Sequence, residues 1–222
     1  MIPIHQAVPL AAAFYDRDPR KVARALLGKL LVRKSRGQIL AGRLVETEAY
    51  LGEGDLAAHS AAGKTTRNSV LFGPPGYAYV YFIYGNYYCL NVSCLPDGVA
   101  GGVLFRAMEP VAGIREMTEV RGIHLGEAGG AGNVALLRRI SSGPGRMCEA
   151  LGVTRDRDNG KSLFSTRSDL RIVDDGYRVS HVTVTPRIGI TKSADEPLRY
   201  VVGGNPFVSG TRLPRPAKGI VD

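Results

Sequence analysis

The sequence predicts an α+β fold: a single mixed domain with a curved, mostly antiparallel sheet, flanking helices and a protruding β-hairpin. Three observations lead there. The elements run helix, strands, helices, strands, a segregated order that does not suit a doubly wound sheet. A length of 222 residues with 44% hydrophobic composition is enough to pack one core. A Gly85-Asn86 turn signal joins two strand-like runs and pairs them as a hairpin. No repeat of fixed period appears, so residues 1–222 form one domain, with 1–17 and 211–222 as peripheral tails.

The first helix is expected over 18–31. Asp18 is a good N-cap, Pro19 suits the first helical position, and Val22, Leu26, Leu27 and Leu30 supply an apolar face. Strands follow at 29–35 and 38–50, divided by Arg36-Gly37. Further strands are expected at 78–84 and 87–95, then at 102–108 after the turn-rich Pro96-Asp97-Gly98. Helices are expected at 110–121, 132–140 and 143–151, and late strands at 180–191 and 199–203. Two long turn-rich segments remain. The one at 52–77 reads as a binding element, and the glycine-rich one at 122–133 as a plain insertion.

Composition narrows the function. The net charge is +9 with a pI near 9.7, which suits binding to polyanions such as nucleic acid or an acidic membrane surface and suits plain solubility equally. The apolar run near residue 10 is too short to span a bilayer and has no basic residue before it, so no membrane anchor or signal is expected. Cys89, Cys94 and Cys148 are odd in number and lack a CxxC pair; buried thiols in a reducing compartment are expected. His5, His59, His124 and His181 are too scattered for a zinc site. A cytoplasmic location follows, at the nucleoid in a bacterium.

Six of the ten tyrosines fall between residues 77 and 88. Rings gathered at a hairpin on a basic protein suit nucleic acid, with charge and stacking combined. Tyr84, beside the turn, could wedge a duplex open, although aromatic rings more often cover a core or an interface. Register is open. A two-residue loop puts Tyr81 opposite Leu90; a three-residue loop puts it opposite Asn91, giving a ring and an amide on one face. In an extended 45–50, Glu46, Glu48 and Tyr50 share a face. Alternation alone slightly favours a solvated face there. Arg106 stands inside an otherwise apolar strand and needs an acidic partner, for which Glu46 or Glu48 would serve. Three readings compete: an enzyme acting on nucleic acid, a non-catalytic nucleic-acid-binding module, and a sugar hydrolase using Glu46, Glu48 and Asp55, which the charge and the absence of tryptophan count against.

The motifs together resemble a known family. They are 45–52 (VETEAYLG), 57–60 (AAHS), 66–68 (TRN), 79–81 (YVY), 83–85 (IYG), 91–93 (NVS), 104–110 (LFRAMEP), 142–144 (SGP), 187–189 (RIG) and 197–200 (PLRY). In this order they resemble the alkyladenine (3-methyladenine) DNA glycosylases of the vertebrate alkyladenine type, over nearly the whole chain. The segment 122–134 lines up poorly, and Arg146 stands where lysine is frequent. The resemblance implies a monomeric, cofactor-free and metal-free enzyme that flips alkylated or deaminated purines out of double-stranded DNA and hydrolyses the N-glycosidic bond. It implies Glu48 as the water-activating base and Arg106 as the residue that helps hold that water. It implies Tyr50, His59 and Tyr81 as stacking walls, Asn91 as the amide that disfavours guanine, and Tyr84 as the intercalating ring. Lys64, Arg67, Arg146 and Arg187 are expected as backbone contacts. No lysine lies within these motifs as an amine nucleophile, which implies a monofunctional glycosylase.

Overall fold

Asp18 caps the first long helix through the Arg20 amide, at 2.8 Å, with Pro19 behind it. The helix stops at Leu26, earlier than its apolar pattern suggests. Gly28 takes a left-handed φ of 83° and donates its amide to Leu44 across the sheet, so residues 27–29 already turn into the next strand. The computed structural model describes residues 1–83, 85–124 and 133–210. Their elements are β1 (Val8–Pro9), α1 (Ala12–Tyr15), α2 (Pro19–Leu26), β2 (Leu30–Ser35), β3 (Gln38–Tyr50), a 3-10 turn (Ser69–Phe72), β4 (Ala78–Ile83), β5 (Tyr87–Ser93) and β6 (Gly102–Ala112). There follow α3 (Ile114–Val120), α4 (Val134–Ser141), α5 (Pro144–Ala150), α6 (Arg155–Asp158), β7 (Leu170–Asp174), β8 (Val182–Thr185) and β9 (Arg199–Val202).

The strands form one curled antiparallel sheet ordered β1-β7-β2-β3-β6-β5-β4, with β9 also on β3 and β8 on β9. β3 is its spine. Residues 38–43 pair with β2, residues 46–48 with β9, and nearly the whole strand with β6. The principal core lies between the sheet and α2 to α5, with Leu26, Leu44, Val80, Leu90, Phe105, Met108, Met117, Ile140 and Met147 inside.

Four expectations need correction. Residues 1–17 are not a loose tail: β1 pairs with β7, and Tyr15 is wholly buried in the core. The strand expected to end at 108 continues through Pro110 to Ala112, and Gly113, at a φ of 70°, breaks it before α3. The late strand expected over 180–191 is only Val182–Thr185, ended by Pro186. The hairpin has a three-residue connection, 84–86, but its ladder pairs Ile83 with Tyr87, Tyr81 with Cys89, and Tyr79 with Asn91. Neither expected partner of Tyr81 is correct, because the ladder closes on Ile83 and Tyr87, which sets Cys89 opposite Tyr81. Tyr84, most of the 122–133 segment and the 211–222 tail lie outside the described residues.

Candidate active site

Alternating residues on three neighbouring strands build one concave wall. Tyr79, Tyr81 and Ile83 come from β4, Cys89 and Asn91 from β5, and Gly102, Leu104 and Arg106 from β6. Tyr50 at the end of β3, Ala57 and His59 after it, Leu71, Pro144 and the backbone turn 188–190 complete a cavity of about 380 Å³. That volume lies in the range of small-ligand sites. Gly102 matters here: a side chain at this position would run into Leu71 and the Val92 carbonyl.

Behind the wall stands Glu48, with no exposed surface. Its Oε1 accepts the Ile188 amide at 3.0 Å; its Oε2 accepts the Tyr50 hydroxyl at 3.0 Å and an Arg106 guanidinium N–H at 3.4 Å. A carboxylate offers about four acceptor positions, so one remains on Oε1. Burial raises the Glu48 carboxyl above its ordinary value, while Arg106, the Ile188 amide and Tyr50 pull it back. Burial also works against the Arg106 charge, but Glu48 and Glu46 more than offset it. Arg106 donates to Glu46 at 3.1 Å and to the Ile188 carbonyl at 3.3 Å.

The solvated face suggested by alternation is therefore wrong. Glu46 is as buried as Glu48, held by Arg106, by Arg199 at 2.7 Å and by the Ser209 amide at 2.6 Å. Neither glutamate itself lines the cavity, but all three partners of Glu48 do, against Arg106 alone among those of Glu46. Asp55 does not pair with the glutamates either. It grips Arg187 through two hydrogen bonds of 2.6 and 2.8 Å. This also corrects Arg187 as a backbone contact: its side chain is fully covered, stacked 4.6 Å over the Tyr50 ring and donating to the Ala49 carbonyl. Lys64, Arg67 and Arg146 are exposed, as a surface role requires.

The aromatic walls are placed unevenly. His59 and Tyr81 touch edge to face, with centroids 4.4 Å apart and planes at 69°. A sandwiched base needs roughly 7 Å between rings, two contacts of about 3.5 Å, so in this arrangement these two rings form one wall and not two. Tyr79 joins them: its hydroxyl lies 2.9 Å from His59 Nδ1. Burial and then the Arg67 charge lower the His59 pKa, which keeps the imidazole neutral at neutral pH. Asn91 is buried and donates to the Tyr79 carbonyl at 3.2 Å. Burial pushes the Cys89 thiol up to about 11, so it lines the cavity as an unionised group. Among the described residues, no cluster of three His, Cys, Asp or Glu side chains is placed to hold a metal.

The backbone of Ile188 escaped the sequence reading, although the 187–189 motif was noticed. Its signal is Gly189: at a φ of 78° it shapes the turn whose Ile188 carbonyl accepts from Arg106, while the Ile188 amide, one peptide earlier, donates to Glu48.

The family model described as methylpurine-DNA glycosylase matches residues 13–206. The chain belongs to the methylpurine-DNA glycosylase family. Relatives span nearly their full length. A protein of Koribacter versatilis described as "Putative 3-methyladenine DNA glycosylase" is 65% identical, covering 93% of this chain and 96% of its own. Proteins with the same description from Chlorobaculum parvum and Alkaliphilus oremlandii are each 42% identical, over 94% and 90% of this chain and 94% and 98% of theirs. The similarity to the vertebrate type is thus corrected to membership of the methylpurine-DNA glycosylase family, with these bacterial proteins as its relatives.

Proposed function

We propose that this protein is a monofunctional DNA glycosylase that extrudes alkylated or deaminated purines from duplex DNA and hydrolyses the N-glycosidic bond with a Glu48-activated water. The observation that carries the reading is Glu48 itself. It is a carboxylate with no exposed surface, and its three partners, Tyr50, Arg106 and Ile188, all line the aromatic cavity. The cavity wall beside it supplies Arg106 and the Ile188 carbonyl, polar groups that can hold a water.

The steps follow from the chemistry. A stacked base is out of reach, so the nucleotide is first flipped. Exposed Lys64, Arg67 and Arg146 offset phosphate charge, which makes binding salt-dependent. Tyr84 directly follows Ile83, a lining residue, and fills the vacated stack. Tyr50 takes one face of the base. His59 and Tyr81, which form one wall, take the other. A cationic alkylated base gains about 0.5–2 kcal/mol on a π-face, a modest preference over normal bases. Its weakened glycosidic bond supplies the rest. As the bond breaks, positive charge grows on the sugar. Glu48 stabilises that charge and takes one proton of the attacking water, whose oxygen forms the new bond to C1′. The bonding pair leaves on the base, which is then neutral for a cationic alkylated purine and, for a deaminated purine, an anion that solvent protonates. The products are free base and an abasic site, with the strand intact. The enzyme works as a cytoplasmic monomer at the chromosome.

Glu48→Gln tests this. Single-turnover base release from a lesion duplex should fall by about 10²–10⁴-fold, while lesion binding persists. Release at the wild-type rate would remove Glu48 from the mechanism.

A further inference from the structure

We infer that the Tyr50 hydroxyl is a positioning group for Glu48, keeping it oriented and ionised, a role separate from that of the Tyr50 ring in the pocket. The inference rests on Glu48 being the base.

Distances single out this contact. The Tyr50 hydroxyl and the Ile188 amide, both at 3.0 Å, are the closest donors to Glu48. The Arg106 contact is longer, at 3.4 Å, and Arg106 lies nearer to Glu46, at 3.1 Å. Charge–charge attraction from Arg106 is therefore divided between two carboxylates, whereas the phenol donates to one. The ring is fixed from the side. Arg187, locked by Asp55 and by the Ala49 carbonyl, lies over it at 4.6 Å. Burial, then the neighbouring Glu48, drives the phenol's own pKa far up, so it stays a donor across the working range.

The charged and titratable groups around Glu48 are Glu46 and Tyr50 on β3, Cys89 on β5, Arg106 on β6, Arg187 in the turn before residue 188, and Arg199 opposite it on β9. Among these, only Tyr50 both lines the cavity and donates to Glu48 without carrying a charge. Removing a donor to an anion destabilises the anion. Without the hydroxyl, Glu48 holds its proton to higher pH, and the base is lost first on the acidic side.

Tyr50→Phe separates the roles, because the ring stays. Single-turnover release of hypoxanthine from duplex DNA is followed from about pH 5 to about pH 9 for the wild type, Tyr50→Phe and Glu48→Gln. The midpoint of the acid limb should move up by about one pH unit in Tyr50→Phe, the worth of one hydrogen bond to a charged group. A rate lowered by one factor at every pH, with the midpoint unmoved, overturns the inference and leaves Tyr50 a stacking wall. Wild-type release by Glu48→Gln is a different failure, since it removes the base on which the inference depends.

Discussion

Glu46 offers the sharpest test of the ion network. Arg106, Arg199, Glu46 and Glu48 are four buried charges that sum to zero, with side-chain exposures of 13%, 5%, 0% and 0%. Glu46→Gln keeps the shape but strands one positive charge. Breaking a buried pair by removing one partner costs about 3–5 kcal/mol, a large share of the ~5–15 kcal/mol that holds a domain together. Arg199→Met alone strands a negative charge, but Arg106 and the Ser209 amide still hold Glu46, so it costs less. The double variant restores neutrality. Its cost should fall short of the sum of the single costs by about 1–3 kcal/mol. Urea unfolding of all four proteins measures this. Two results would refute the reasoning: a Glu46→Gln midpoint equal to the wild type, or strictly additive costs. The same variant loosens one of the two carboxylate anchors of Arg106, so single-turnover base release should drop by about tenfold even where the protein is fully folded.

Two further predictions concern the scaffold. Arg33 is fully buried and donates to Asp158 at 2.7 Å, to Asp169 at 2.9 Å and to the Leu151 carbonyl, joining β2 to α6 and the loop before β7. Arg33→Met should cost about 3–5 kcal/mol in urea unfolding, because Asp158 stays buried with Lys161 as its remaining charged partner among the described residues and the Thr154 amide on its Oδ2. Stability should also fall in acid. Arg43 holds the Asp175 carboxyl below its usual range, and Lys161 and Arg157 do the same for Asp169 against the effect of burial. A depressed carboxyl stabilises the fold above its unfolded pKa, near pH 3.9, and loses that contribution as pH falls through the folded value. Urea midpoints should therefore hold from about pH 7 to about pH 5 and drop steeply below about pH 4; a flat profile would count against both ion pairs.

Much of the fold is readable because local signals agree with it. Asp18-Pro19 starts a helix, Gly85-Asn86 turns a hairpin, and Gly143-Pro144 opens α5. The losses share a cause. β1 is two residues long and is held only by β7, some 165 residues away, so nothing local marks it. Arg187 looked like surface charge for the same reason: its partner Asp55 lies 132 positions earlier. The cavity wall was partly legible. The hairpin follows from local signals, but both expected registers, Tyr81 opposite Leu90 or opposite Asn91, missed Cys89, which the ladder sets opposite it.

Glu46 and Glu48 show why alternation misjudged exposure at the site itself. A strand with charged residues on one face normally turns that face to water, and β3 has this pattern. Here the face is covered by segments that arrive late in the chain: β9, the turn at 188–190 and Ser209. The β3–β6 register shifts just before and just after Glu46, and such bulges re-aim side chains beside sites. Arg106 comes from the same irregular stretch and reaches both glutamates. The arrangement is costly, since two carboxylates and two guanidinium groups leave water together. A fold needing only stability could have placed apolar side chains there. Each carboxylate accepts three hydrogen bonds, and their partners divide them: Glu46 is held by Arg106, Arg199 and the Ser209 amide, whereas all three partners of Glu48, Tyr50, Arg106 and Ile188, line the cavity. Under the proposed function, Glu46 fixes Arg106 and Glu48 acts.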